Sequence, residues 1–180
     1  MLPKKCLIVI DLQVAMFNLS RPLFNGNIIL DNIKKLIQNG RNNNIPIVFI
    51  QHCGSKQSPF KKGSTGWEIH PSVSPEVKEF VIEKEHPDSF QDTELETLLN
   101  KLSIKNLVVC GLVTEGCVDS TVRRAYSLGY KIELASDCHT TTASHVLTAD
   151  QIINHHNEVF KIFSEVKETK DIMFNTKQVS

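Results

Sequence analysis

The stretch Val108-Val109-Cys110-Gly111-Leu112-Val113-Thr114-Glu115-Gly116-Cys117-Val118 carries an apolar run into a short polar turn and then a cysteine. Val118, Val122, Ala125 and Leu128 follow at i, i+4, i+7 and i+10, the spacing of one helix face. Gly129 then stands where a helix end favours positive φ. The stretch therefore reads as strand, turn and helix, with Cys117 near the helix start. Unpaired N–H groups and the positive end of the helix dipole favour the thiolate there. A cysteine is equally a small core residue, so position alone does not make it functional.

Outward from this unit, the same alternation recurs. Cys6 to Ile10 is a continuous apolar run rich in β-branched residues, the mark of a strand buried on both faces in a parallel sheet. It ends in Asp11, a carboxylate at the strand's C-terminal end that serves equally well as a turn residue. Residues from about Asn27 to Asn39 place Ile29, Ile33, Leu36 and Ile37 at helical spacing, with Gly40 expected to close the helix. Further strands are expected at Ile45 to Ile50, Glu79 to Glu83, Asn106 to Cys110, Tyr130 to Ala135 and Val159 to Phe163. Thr93 with Glu96, and Thr148 with Gln151, have the spacing of capping boxes; the second helix is expected to run to about His156.

Size, charge and cysteine usage narrow the choices. A chain of 180 residues suits a single domain spanning 1–180, here with a polar tail from about Glu165 expected to be peripheral. Its 20 Lys and Arg balance 20 Asp and Glu, and no block of like charge points to nucleic acid or a membrane as partner. The apolar runs are too short to span a bilayer, and no secretory signal is visible. Five irregularly spaced cysteines without CxxC pairs suggest a reduced, cytoplasmic protein.

Four local features compete for function. His52-Cys53 lacks a third partner at a metal-ligand spacing, so no metal is expected. The segment from Gly54 to Ser74 is a long loop with the sole tryptophan, Trp67, and such loops are usually lids or binding loops. Lys84 follows a strand but, taken alone, resembles any solvated lysine. Ser136-Asp137-Cys138-His139 is a rival Cys/His cluster, or simply a strand-end turn.

Six strands alternating with helices give an α/β fold, a mostly parallel sheet covered on both faces. Ligands then bind at the carboxyl ends of the strands. Asp11, Lys84 and Cys117 each follow a different strand at that edge, which joins three weak signals into one constellation.

In these pieces the chain resembles the isochorismatase-like cysteine hydrolases, which include nicotinamidases and N-carbamoylsarcosine amidases. The matching segments are Leu7 to Gln13, Gly66 to Pro71, Lys84 through Asp88-Ser89-Phe90 to Leu95, and Cys110 to Val118, in order. The resemblance implies a three-layer α/β/α sandwich of Rossmann-like type, strand order 3-2-1-4-5-6. It implies a catalytic triad at Asp11, Lys84 and Cys117, an oxyanion hole from the Val113 and Cys117 amides, and a cis peptide between Leu112 and Val113. The activity it implies is cleavage of an amide-type C–N bond of a small molecule through a thioester. Phe17, His52, Trp67, Phe90 and Thr114 are the expected pocket walls, no cofactor is implied, and a homo-oligomer (dimer or tetramer) is expected. Metal-binding nicotinamidases carry Asp-x-His where this chain has Gln51-His52-Cys53, which argues against zinc. Two alternatives remain: an isochorismate-type vinyl-ether hydrolase using Asp11 and Lys84, and a non-catalytic, redox-responsive protein using Cys117 or Cys138.

Overall fold

The computed structural model describes residues 4–174. Its six strands are β1 (Lys5–Ile10), β2 (Ile47–His52), β3 (Phe80–Lys84), β4 (Asn106–Leu112), β5 (Lys131–Thr140) and β6 (Glu165–Lys167). All pairings are parallel, in the order β3-β2-β1-β4-β5-β6. The helices are α1 (Gly26–Asn42), α2 (Leu95–Lys101), α3 (Asp119–Ser127) and α4 (Ala149–Phe160).

β1 shows why its run is continuously apolar. Cys6, Ile8 and Ile10 point into a core with Leu95 and Leu99 of α2, Val122 and Ala125 of α3, and Phe160 of α4. Leu7 and Val9 point into the opposite core, against Leu30, Ile33, Leu36 and Ile37 of α1. Alternate residues of one strand thus serve two cores, and the result is three layers. Each fully buried Leu or Ile contributes about 1.5–3 kcal/mol, so these two cores dominate the folding energy.

Several sequence expectations are corrected. The strand expected at Val159 to Phe163 is instead the end of α4 and the turn after it, because Ile152, His156 and Phe160 continue one helix face; β6 follows at Glu165–Lys167. The tail is not peripheral over its described part, since β6 joins the sheet and Ile172 and Phe174 are buried in the α1-side core. Residues 175–180 of that tail lie outside the described residues. Gly40 is inside α1, where a Cβ would sit 3.3 Å from Ile45 Cγ1, so it permits close packing and does not cap. The Thr93–Glu96 box does not form: the Thr93 hydroxyl donates to Ser89 O at 2.7 Å and accepts from Leu95 N at 3.3 Å. The Thr148–Gln151 box forms in both directions. Among the described residues no helix is long and apolar enough to cross a membrane.

Candidate active site

Asp11 follows the last residue of β1 with φ of 52°, a left-handed conformation that Asp tolerates better than most residues. Its amide still donates to Ile50 O at 3.0 Å, which fixes the carboxylate at the sheet's carboxyl edge. Lys84 closes β3, in register with His52 of β2, and so starts two strands away from β1. Its side chain crosses that gap. Lys84 Nζ lies 2.8 Å from Asp11 Oδ2, and both side chains are wholly withdrawn from solvent. The ammonium also donates to the carbonyls of His86 (3.1 Å) and Pro87 (3.4 Å), which help offset its desolvation. Burial opposes the charged lysine, but Asp11 and Cys117 outweigh it and hold the ammonium above its ordinary pKa.

Cys117 sits in a wide turn, Thr114–Val118, that joins β4 to α3. The Leu112–Val113 peptide bond is cis. Val113 O then accepts from both Gly116 N (3.1 Å) and Val118 N (3.3 Å), and Gly116 takes φ −107°, ψ −106° at the kink. The Cys117 thiol faces both Asp11 and Lys84. Burial first, and the Asp11 carboxylate second, push it up to about 12, against the opposing pull of Lys84. Desolvation thus outweighs the helix terminus and favours the thiol at Cys117 over the thiolate expected from its position in the sequence. Asp11 Oδ1 is buried and has no hydrogen-bond partner, so the carboxylate keeps an acceptor to spare.

Residues 5–170 match the family model of the Isochorismatase domain. The chain belongs to the isochorismatase family. It is 40% identical over 140 residues to the isochorismatase family protein YddQ of Bacillus subtilis (strain 168), covering 76% of this chain and 78% of that one. It is 32% identical over 137 residues to a streptothricin hydrolase of Streptomyces noursei, covering 76% of this chain but 50% of that enzyme. The crystal structure of an isochorismatase from Pseudomonas putida KT2440 matches with a TM-score of 0.89 at 29% identity, over 94% of this chain and 90% of that one. The chain is thus an isochorismatase-family hydrolase.

The remaining expected residues of this isochorismatase-family chain divide. His52 is half-buried beside the Asp11–Lys84 pair, its ring edge-on to Phe60 at 5.9 Å and its buried Nδ1 without a partner. Burial lowers its pKa, so it is a neutral imidazole. Trp67 is half-buried, and its Nε1 donates to Cys53 Sγ at 3.3 Å. Phe17 packs on His70 at 4.8 Å and lines a cavity of about 480 Å³ with Glu68 and His70, a cavity that none of Asp11, Lys84 and Cys117 lines. Phe90, also expected as a pocket wall, is buried in the core with its ring 5.8 Å from that of Tyr130. Thr114 is also fully buried, its hydroxyl 2.9 Å from His139 Nδ1. A cavity of about 340 Å³ reaches Lys84 past Cys53, Glu85 and His86.

The rival Asp137–His139 cluster separates into other tasks. Asp137 accepts from the amide and hydroxyl of Thr169 (2.8 and 2.6 Å), and Cys138 Sγ meets the same hydroxyl at 3.0 Å. These bonds fasten the C-terminal segment.

Gln13 had no assigned role, yet it is fully buried and ties the long loop down. Its Nε2 donates to His52 O (2.9 Å) and Trp67 O (2.8 Å), and its Oε1 accepts from His52 N (2.9 Å). Gln51 Nε2 adds a second bond to Trp67 O at 2.9 Å. A glutamine two residues past the strand-end Asp11 was the only sequence signal for this.

Proposed function

We propose that this chain is a cysteine-dependent hydrolase that cleaves an amide-type C–N bond of a small molecule through a thioester. The observation carrying the reading is the fully buried Lys84–Asp11 pair at 2.8 Å with the Cys117 thiol against it. Such a pair is costly to bury for stability alone, and it supplies what a protonated thiol lacks, a fixed base.

As sulfur attacks the carbonyl carbon, the thiol proton passes to Asp11. Lys84 remains an ammonium, holds the carboxylate in place and balances the charge that moves through the site. The tetrahedral oxyanion is assigned to the Val113 and Cys117 amides. Asp11 returns the proton to the leaving nitrogen, the C–N bond breaks, and ammonia or an amine departs. A water, deprotonated by Asp11, attacks the thioester, and the acid is released as Cys117 regains its proton. No step calls on a metal or cofactor. The likeness to a streptothricin hydrolase supports a small-molecule substrate.

The test is ammonia release from a panel of small amides, ureas and carbamoyl compounds, with Cys117→Ala as control. Turnover that survives Cys117→Ala rejects the thioester route.

A further inference from the structure

His139 takes no part in these hydrolytic steps, although it is a fully buried histidine one contact from the catalytic turn. Its position comes from an irregularity in β5. Val109 pairs with Leu134, but two residues later Gly111 pairs with His139, so β5 carries extra residues that re-aim the strand's last side chains. The imidazole then bridges two elements. Its Nδ1 lies 2.9 Å from Thr114 Oγ1 in the turn, and its Nε2 lies 3.0 Å from Asn157 Oδ1 on α4. An amide oxygen only accepts, so Nε2 carries the ring proton. Nδ1 must then accept, and the Thr114 hydroxyl must donate.

We propose that His139 is a positioning residue for the oxyanion-binding turn: Asn157 fixes its tautomer, and through Thr114 it locks the Thr114–Val118 turn that presents the Val113 and Cys117 amides. The inference rests on the hydrolytic reading, since it gives the relay its purpose. Thr114 directly follows Val113, and Thr114 is buried, so its one directional bond sets the rotation of the adjoining peptide. Burial lowers the His139 pKa to about 4, which keeps the ring neutral and the bond direction constant. The polar and charged groups around the ring are Asn157 and His156 of α4 and Asp137 of β5; from the turn, Glu115 is engaged by the Thr141 hydroxyl, and Phe160 closes the apolar side.

Two electrophiles separate this role from general stability. Acylation of Cys117 by p-nitrophenyl acetate passes through a tetrahedral oxyanion, whereas alkylation by iodoacetamide does not. Thr114→Val and His139→Gln, which remove the donor and the Nδ1 acceptor, are expected to slow acylation about tenfold or more. Alkylation should stay within about threefold of wild type, because the thiol and its base are untouched. His139→Asn keeps an acceptor near the Nδ1 position and should restore acylation to within about threefold. Unchanged acylation in the first two variants, or parallel loss with both electrophiles, would overturn the proposal. Long-range ¹H–¹⁵N spectra of the wild type should show the Nε2–H tautomer of His139; the Nδ1–H form would also overturn it. A wild type inert to both reagents would reject the hydrolytic reading instead, and the tautomer would still decide whether the relay exists.

Discussion

Gly111 packs so closely against Ile10 that a Cβ on it would lie 2.1 Å from the Ile10 carbonyl oxygen and 2.6 Å from its nitrogen. Its φ of 131° is also closed to ordinary side chains. The contact joins β1 to β4 one residue before Asp11 and six before Cys117, so it fixes how far apart those two side chains start. Gly111→Ala is expected to cost about 3 kcal/mol or more, through backbone displacement at a site that cannot relax. Urea denaturation measures this, and a loss below about 1 kcal/mol would refute the steric account.

The Lys84–Asp11 pair predicts a non-additive pattern. Lys84→Met leaves Asp11 as an uncompensated buried charge and should cost about 3–5 kcal/mol, whereas Asp11→Leu with Lys84→Met should cost much less than the two single changes together. Both variants should lose hydrolysis entirely. A double-mutant cycle on denaturation midpoints checks the coupling.

Gln13 predicts how the long loop is held. Gln13→Leu keeps the bulk but removes the side-chain partners of the His52 carbonyl and amide and leaves Trp67 O with Gln51 alone, each lost partner being worth about 1–3 kcal/mol. Trypsin should then cut faster at Lys56, Lys61 and Lys62, which are exposed in the loop. An unchanged cleavage rate would show that Gln51 and the other loop contacts suffice.

The buried thiols predict alkaline sensitivity. Cys117 and Cys138 are each pushed up to about 12, mainly by burial, and burial raises Cys6 and Cys110 as well. In the unfolded chain a thiol titrates near about 8.5. Above that pH the unfolded state has lost protons that the folded state retains, so stability falls as pH rises. The raised Lys84 acts in the same direction, its contribution being lost as pH climbs through its folded pKa. The urea midpoint should therefore drop steadily between about pH 8 and pH 10.5, and Cys138→Ala should make the slope shallower.

How far each element could be read from sequence depends on the kind of signal it carries. β1, β2 and β4 are buried on both faces, so an apolar run of β-branched residues had one reading, and it placed Asp11 at a strand end and Cys117 in the turn that leads into a helix. Lys84 was legible only through its place at the sheet's carboxyl edge and the family pattern, because a lysine that crosses a neighbouring strand to a carboxylate looks, taken alone, like any surface lysine. β6 was hidden because it is a three-residue strand, Glu165–Lys167, with charge at both ends, while Phe160 beside it is apolar for helical reasons. The burial of Phe90 was not legible, because nothing local shows that its ring packs into the core. His139 stood in a cluster first weighed as a Cys/His site, and its actual partners, Thr114 and Asn157, are 25 and 18 residues away.

The two outer strands also bear on how the protein behaves in a crowded solution. A sheet edge with free backbone groups is a template for another chain. β6 offers only three residues, and its two terminal side chains, Glu165 and Lys167, are linked to each other as an ion pair. At the opposite margin, Glu83 of β3 is held by Lys62 from the long loop. Each border thus carries charge, which disfavours strand addition between copies from either side.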